Sequence, residues 1–169
     1  MSNKIIAVAG ATGTQGGGLV RTILADAAGG FTARAITRHP DSHAARALIA
    51  LGAEVVQGDL DDEASLRQAF AGAHGAFCVT NFWEHFSPER ELTQAGNLAR
   101  AARSAGVSHA IWSTLEDVRR YVPVGDERIP TLAGGYKVPH MTPRARRTSC
   151  SARPRSRPPT STRRSTGTT

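Results

Sequence analysis

The chain has 169 residues, which is enough for one domain with a sizeable core but short for two. Its formal charge of +7 suggests a nucleic acid or an anionic membrane as a partner. The charge is placed unevenly, however, because residues 142–169 hold eight of the 21 basic residues, all arginine, and no acid. Residues 1–141 therefore hold 13 bases against 14 acids, so a nearly neutral body excludes the basic-surface classes for that part of the chain.

Cysteine usage and hydropathy predict the compartment. Cys78 lies in the body and Cys150 in the basic tail, which implies no disulfide framework and makes a reducing compartment the default. No apolar run reaches about 18 residues, and residues 1–4 lead straight into a strand-like segment that leaves no room for a signal peptide. The expectation is a soluble, cytoplasmic protein with no membrane partner.

The body alternates short apolar runs with helical patterns. The predicted strands are residues 4–9, 31–37, 53–57, 75–80 and 108–113. The predicted helices are residues 15–28, 42–50, 62–71 and 87–105. Short connections between strands and helices imply right-handed crossovers and one parallel sheet. The predicted fold is therefore a doubly wound α/β Rossmann sheet with strand order 3-2-1-4-5.

A glycine-rich loop follows the first predicted strand. Its spacing is G-x-x-G-x-x-G, with glycines at Gly10, Gly13 and Gly16. Glycines there allow a tight turn, a close approach of backbone to a diphosphate and close packing of helix on strand. Free N–H groups and the positive end of the next helix would receive the anion. A turn without a ligand is the alternative, but the position inside a βαβ unit favours dinucleotide binding.

The end of the second predicted strand distinguishes the two nicotinamide cofactors. An NAD site usually presents an acid about 20 residues beyond the glycines, to bind the ribose 2′-hydroxyl. Here the chain has Arg38, and the nearest acid, Asp41, lies beyond Pro40. Arg38 can form charge-assisted hydrogen bonds to a 2′-phosphate, so NADP(H) is preferred over NAD(H). The alternative for Arg38 is a solvated surface side chain.

Two further strand ends point to the same crevice. Asp59 could accept a hydrogen bond from the adenine amino group while Leu60 packs on the ring, although Asp59 is equally typical of a turn or cap. Residues 80–83 end the fourth strand, where the nicotinamide half should lie. Phe82 and Trp83 are more typical of a core or subunit contact than of stacking on the cofactor.

Several motifs occur together and in order: GATGTQGG, ITRHP, GAEVVQGDLDD, VTNFWE, STLEDVRRYVP and YKVPH. From about Asn3 to Met141 they resemble the N-terminal half of the NmrA-like family, an atypical branch of the short-chain dehydrogenases. The resemblance implies an NADP(H)-binding Rossmann domain that often acts as a redox-sensing regulator through protein partners. It also implies cofactor contacts from eleven residues, namely Gly10, Thr12, Gly13, Thr14, Gln15, Gly16, Arg38, Asp59, Leu60, Thr80 and Asn81.

Catalytic residues are not assigned. Reductases of the wider superfamily pair a tyrosine with a lysine four residues later, because the lysine lowers the pKa of the phenol. Gly125 follows Tyr121 at that spacing and His140 follows Tyr136, so neither pair fits. Because this catalytic pair is missing, a regulatory protein is the favoured function and an NADPH-dependent oxidoreductase is the alternative. His85, His109 and His140 have no metal-ligand spacing among them, and no metal site is expected.

Residues 1–141 are interpreted as an incomplete nucleotide-binding domain and residues 142–169 as a disordered tail. The tail holds eight arginines, four prolines, five serines and seven threonines. One interpretation is an arm that binds nucleic acid by releasing counterions.

The favoured interpretation of the tail is a shifted reading frame. The tail starts abruptly after a family-like motif, and its basic residues are all arginine. One base restored after the codon of Met141 permits the text DAKGEADELF, which resembles the continuation of NmrA-like proteins. The elements expected after strand five would then be missing, which would leave apolar surface on strands four and five exposed.

Overall fold

The computed structural model describes residues 3–115, 118–123, 125–132 and 137. Its sheet has five strands: β1 (Lys4–Val8), β2 (Phe31–Thr37), β3 (Glu54–Gln57), β4 (Gly75–Cys78) and β5 (His109–Trp112). The strands lie in the order β3-β2-β1-β4-β5, and each neighbouring pair is parallel. The predicted doubly wound sheet is confirmed.

Four α-helices connect the strands: α1 (Thr14–Ala25), α2 (His43–Ala50), α3 (Glu63–Phe70) and α4 (Pro88–Ser104). Three of the helices have a side-chain N-cap: Ser42 caps α2, Asp62 caps α3 and Ser87 caps α4. Helix α1 differs because its N-cap is Gly13, which has no side chain to offer. The start of α1 therefore keeps main-chain N–H groups available to an outside acceptor.

The core lies in two layers, one on each face of the sheet. Ala7 on β1 packs with Leu66 of α3 and Leu98 of α4, while its neighbour Val8 packs on the other face with Val20 of α1. Successive strand residues point to opposite faces, so a short apolar run serves both layers. All five residues are fully buried, which agrees with a strand covered on both faces.

The predicted boundaries differ from the structure by a few residues. Helix α1 ends at Ala25 rather than at residue 28, because the chain turns at Asp26 and the Gly29 N–H donates to the Asp26 carbonyl at 3.1 Å. The fourth strand ends at Cys78 rather than at residue 80. Two short 3₁₀ turns, Phe82–Glu84 and Val118–Arg120, follow β4 and β5.

Strand β5 is the most exposed strand of the sheet. Its first three residues are exposed, and Ile111 is 54% exposed. Within the part of the chain that the structure describes, no helix is both long and apolar enough to span a bilayer. The predictions for residues 142–169, and those for Tyr136 and His140, lie outside the described residues.

Candidate dinucleotide-binding site

A cleft of about 380 Å³ lies beyond the carboxyl ends of the strands. This is the edge at which doubly wound sheets bind ligands, and the volume is within the usual range for a ligand pocket. All eleven residues expected to contact a cofactor line it: Gly10, Thr12, Gly13, Thr14, Gln15, Gly16, Arg38, Asp59, Leu60, Thr80 and Asn81. The sequence interpretation did not include Glu84 or Gln94, which also line the cleft.

The glycine loop forms one wall of the cleft. Gly10 has φ +64°, a conformation that favours glycine, and a Cβ there would lie 2.9 Å from Val79 Cγ1. A Cβ on Gly16 would overlap the Gly10 carbonyl, so α1 can approach the loop only because residue 16 is glycine. These two positions are therefore glycine because of packing in the protein itself.

Gly13 differs from its two neighbours in the motif. Its φ of −88° is open to any residue, and a Cβ would lie 3.3 Å from the Gly10 carbonyl oxygen, which is tight but not an overlap. Gly13 is also the N-cap of α1, whose first turn contains no acid. The positive end of α1 thus opens into the cleft behind a residue that lets another molecule come close.

Arg38 lies at the mouth of the cleft, where β2 ends. Its Nη2 is 2.9 Å from Glu84 Oε2, and the two side chains are 44% and 46% exposed. The side chain predicted to bind a 2′-phosphate is therefore held by an acid from the 3₁₀ turn after β4. No sequence signal reveals this pair, because the partners are 46 residues apart and the turn that carries Glu84 has no pattern of its own.

The Asp59 turn lies in the cleft and also stabilises its own loop. Asp59 Oδ1 accepts a hydrogen bond from the Asp61 N–H at 3.0 Å, which forms the local turn weighed as the alternative for this residue. Leu60 packs against the α3 and α4 side of the core, and its carbonyl accepts from Asn97 Nδ2 at 2.9 Å. Both residues are thus fixed in position at the edge of the cleft.

The segment after β4 closes the other side. The buried Thr80 hydroxyl donates to Glu91 Oε1 at 2.6 Å, so its proton is directed to α4. Asn81 Oδ1 accepts from the Trp83 N–H at 3.3 Å and caps the 3₁₀ turn. Phe82 is a core residue, as predicted, whereas Trp83 is 57% exposed.

An ion-pair network supports the rim between the Asp59 turn and α4. Arg90 Nη2 lies 2.5 Å from Asp61 Oδ2, and Gln94 Nε2 donates to Asp61 Oδ1 at 3.1 Å. The hydrogen bond from the Arg90 guanidinium lowers the pKa of the Asp61 carboxyl below its usual value. Gln94 lines the cleft itself, so the network holds one wall in place.

Comparison with known proteins places this architecture in a family. Residues 2–141 match the NmrA-like family. The chain belongs to the NmrA-like family. It is 41% identical over 114 residues to the NmrA-like family domain-containing oxidoreductase FrzB of Cladobotryum sp, which covers 65% of this chain and 33% of FrzB. The chain thus spans about a third of this curated relative.

Three solved structures of two similar proteins are informative about ligands. Triphenylmethane reductase of Citrobacter sp., complexed with NADP(H), has a TM-score of 0.56 and 34% identity over 66% of this chain and 37% of the reductase. NmrA, a negative transcriptional regulator, in complex with NADP has a TM-score of 0.60 and 31% identity over 73% of this chain and 37% of NmrA. NmrA in complex with NAD has a TM-score of 0.66 and 27% identity over 88% and 41%.

The groups that line the cleft of this NmrA-like chain are suited to a dinucleotide. Glycine at position 13 lets a ligand approach the backbone closely, and the start of α1, which no side chain caps, offers N–H donors to a diphosphate. Arg38 adds a cationic side chain to the lining of the cleft. Among the described residues, no three histidine, cysteine or acidic side chains come together to form a metal site. The lining of the cleft therefore offers groups that bind anions.

Proposed function

We propose that this NmrA-like chain binds a nicotinamide dinucleotide across the cleft. The pyrophosphate lies at the N-terminus of α1, the adenosine half lies toward Arg38 and the Asp59 turn, and the nicotinamide half lies toward Thr80 and Asn81. The observation that carries the proposal is the uncapped start of α1, which opens into a cleft formed by the loops after the first four strands. The NADP(H) and NAD complexes of the structural neighbours support it.

We further propose that NADP(H) is the preferred cofactor. An arginine follows β2 where NAD sites usually carry an acid, and this arginine lines the cleft. Arginine binds phosphate through paired, charge-assisted hydrogen bonds that a ribose hydroxyl cannot match. The extra phosphate of NADP(H) is thus recognised at Arg38.

The bound nucleotide is, in this proposal, a signal rather than a reagent. A nicotinamide ring supplies hydride transfer when bound, but the chain's own residues only bind and orient it, since neither tyrosine has a lysine four residues later. The regulatory role of NmrA supports this assignment. The chain would act through a protein partner in the reducing, cytoplasmic compartment that its cysteine placement predicts.

The second candidate is an NADPH-dependent oxidoreductase, which the description of FrzB favours. Two measurements on the full chain distinguish the regulatory function from the oxidoreductase. Calorimetric titration with NADPH, NADP⁺, NADH and NAD⁺ should show binding, with the phosphorylated pair bound more tightly. NADPH absorbance should then stay constant when a quinone or a dye is added as acceptor. Steady NADPH consumption would favour the oxidoreductase, and no binding of any of the four nucleotides would contradict both candidates.

For the domain organisation, we propose that residues 1–141 form the nucleotide-binding unit and that residues 142–169 are translated in a shifted frame. The family match ends at residue 141, which supports this boundary. The nucleotide sequence around codons 141 and 142 tests it, with a longer open frame expected one base away. A gene that runs cleanly through the tail would instead favour the arginine arm as a nucleic-acid-binding element.

A further inference from the structure

Two side chains of opposite charge meet at the mouth of the cleft. Arg38 follows β2, and Glu84 belongs to the 3₁₀ turn after β4, yet Arg38 Nη2 and Glu84 Oε2 are 2.9 Å apart. Both residues line the cleft. The proposed function gives Arg38 a role and leaves Glu84 without one.

The position of Glu84 is determined by its neighbours in the chain. The Asn81 side chain caps the turn, and Phe82 is 3% exposed and anchors the turn in the core. The Phe86 N–H donates to the Phe82 carbonyl at 2.8 Å, which holds the turn on its far side. The backbone of Glu84 is therefore fixed beside the cleft, and its side-chain torsions decide whether its carboxylate lies on Arg38.

The pair is also easy to exchange. Both side chains are nearly half exposed, and an exposed ion pair changes an equilibrium constant by at most about fivefold. A 2′-phosphate carries more negative charge than a carboxylate and offers three acceptor oxygens. It would therefore displace Glu84 from Arg38, but it would then lie close to a displaced carboxylate that repels it.

We propose that Glu84 sets the cofactor selectivity of this site, an inference that rests on the proposed function. Without a 2′-phosphate, Glu84 stays on Arg38 and accepts a hydrogen bond from the ribose 2′-hydroxyl of NAD(H). With NADP(H), Glu84 leaves Arg38 and opposes the phosphate. NAD sites use an acid at this place and NADP sites an arginine. Here the structure brings the two together, with the acid supplied from the segment after β4 instead of the end of β2.

The test compares Kd values for NADPH and NADH by calorimetry on the full chain and its Glu84→Gln variant. Glutamine keeps the size of the side chain and removes its charge. NADPH should bind about fivefold more tightly, because Arg38 is released and the repulsion is lost. NADH should bind more weakly, because a neutral amide accepts a weaker hydrogen bond from the ribose. The NADPH-to-NADH selectivity should rise about tenfold.

Glu63→Gln is the matched control. Glu63 also forms an exposed ion pair, with Arg100 at 2.6 Å, but it does not line the cleft. Its removal should leave the selectivity within about twofold of the wild type. A second test places Glu84→Gln in an Arg38→Ala background. The gain in NADPH affinity should be smaller there, because Glu84 no longer competes with the phosphate for Arg38 and only the repulsion between the carboxylate and the phosphate is removed.

The outcomes separate this inference from the proposed function. If the wild type binds both nucleotides and Glu84→Gln leaves their selectivity unchanged or lowers it, the role of Glu84 is contradicted and the nucleotide site stands. If the gain in NADPH affinity is as large without Arg38 as with it, the exchange at Arg38 is contradicted. If the wild type binds neither nucleotide, the proposed function fails and the inference fails with it.

Discussion

Arg38 is the residue on which the cofactor preference depends, and its environment sets how large an effect it can have. Its side chain is 44% exposed and already paired with Glu84, so a phosphate gains only part of the strength of a buried charged hydrogen bond. Arg38→Ala should weaken NADPH binding by roughly 1–2 kcal/mol, at the lower end for a hydrogen bond to a charged group, and leave NADH binding nearly unchanged. Calorimetry with both nucleotides measures the difference.

Arg100→Ala is the control for Arg38→Ala. Arg100 is 58% exposed and forms an ion pair with Glu63, but it lies outside the cleft lining. Its loss removes the same charge without touching the site, so NADPH affinity should hold. Equal NADPH affinity in Arg38→Ala and the wild type would refute the assignment of Arg38 to the 2′-phosphate.

Gly13 and Gly16 should respond differently to the same substitution. Valine at Gly13 meets an ordinary φ and a contact of 3.3 Å, so the protein should fold, while the branched side chain blocks the approach of a pyrophosphate. Valine at Gly16 would overlap the Gly10 carbonyl and should destabilise the domain. Circular dichroism, thermal melts and NADPH titration of both variants test this. If a folded Gly13→Val protein kept its NADPH affinity, the glycine loop would be a turn that does not bind the pyrophosphate.

The sequence predicted much of the cleft at the residue scale, because strand ends in a parallel sheet meet at one edge. The loop at Gly10 and the residues Arg38, Asp59 and Thr80 are each attached to a strand whose order follows from the topology. Glu84 was not predictable, since its place depends on a short turn capped by Asn81. Local hydrogen bonds of this kind leave no periodic pattern in a sequence.

Helix α4 carries one wall of the cleft and starts at a well-defined cap. Ser87 Oγ accepts from the Arg90 N–H at 3.1 Å, and Pro88 occupies the first turn. Ser87→Ala should lower the free energy of unfolding by about 1 kcal/mol, the usual loss at a serine N-cap. Urea denaturation measures it, with Ser104→Ala at the other end of the same helix as a control that should have little effect. Equal losses in the two variants would contradict the cap.

The loop after β3 is tied to α4 by an ion pair that titrates. Arg90 lowers the pKa of Asp61 in the folded protein, so the pair stabilises the fold above the unfolded pKa and loses this contribution as pH falls through the folded value. The stability difference between the wild type and Asp61→Asn should thus be full at neutral pH and shrink below about pH 4. Urea melts across this range measure it, and Asp41→Asn is the control. A difference that does not change with pH would contradict the ionic origin.

The elements themselves were largely predictable, and their ends were not. Glycine-bounded apolar runs and capped helical patterns agree with one another along residues 4–113, which is why the five strands and four helices were found. The strand predicted through residue 80 stops at Cys78, because strand pairing ends at Trp112 and the chain turns toward Phe82. Pairing between strands fixes such ends, and it is not visible in one strand's own sequence.

At the scale of the whole molecule, β5 presents an exposed apolar strand. Ile111 is 54% exposed on β5, the last strand in the sheet order of the described residues. Edge strands of this kind pair with other chains, and a charged side chain opposes that pairing. Ile111→Lys should therefore reduce self-association, measured by light scattering at equal concentrations.

Ile49→Lys is the matched control for Ile111→Lys. Ile49 is 52% exposed on α2, so the chemical change and the exposure are alike, but a helix surface offers no strand to pair. Ile49→Lys should leave the self-association close to that of the wild type. An equal reduction by both variants would attribute the effect to charge alone and contradict the role of the β5 edge.

The central claim is that a nicotinamide dinucleotide occupies the cleft at the carboxyl edge of the sheet. Titration of the isotope-labelled full chain with NADPH, followed by amide NMR shifts, tests it most directly, because the opposite edge of the same sheet is an internal control. Shifts should concentrate in the segments 10–16, 38–39, 58–60 and 79–84, which supply most of the residues that line the cleft. The turns at Gly30, Gly72 and Gly106 should show no shift. Saturating NADPH that moves no cleft amide, or moves the opposite turns instead, would contradict the account.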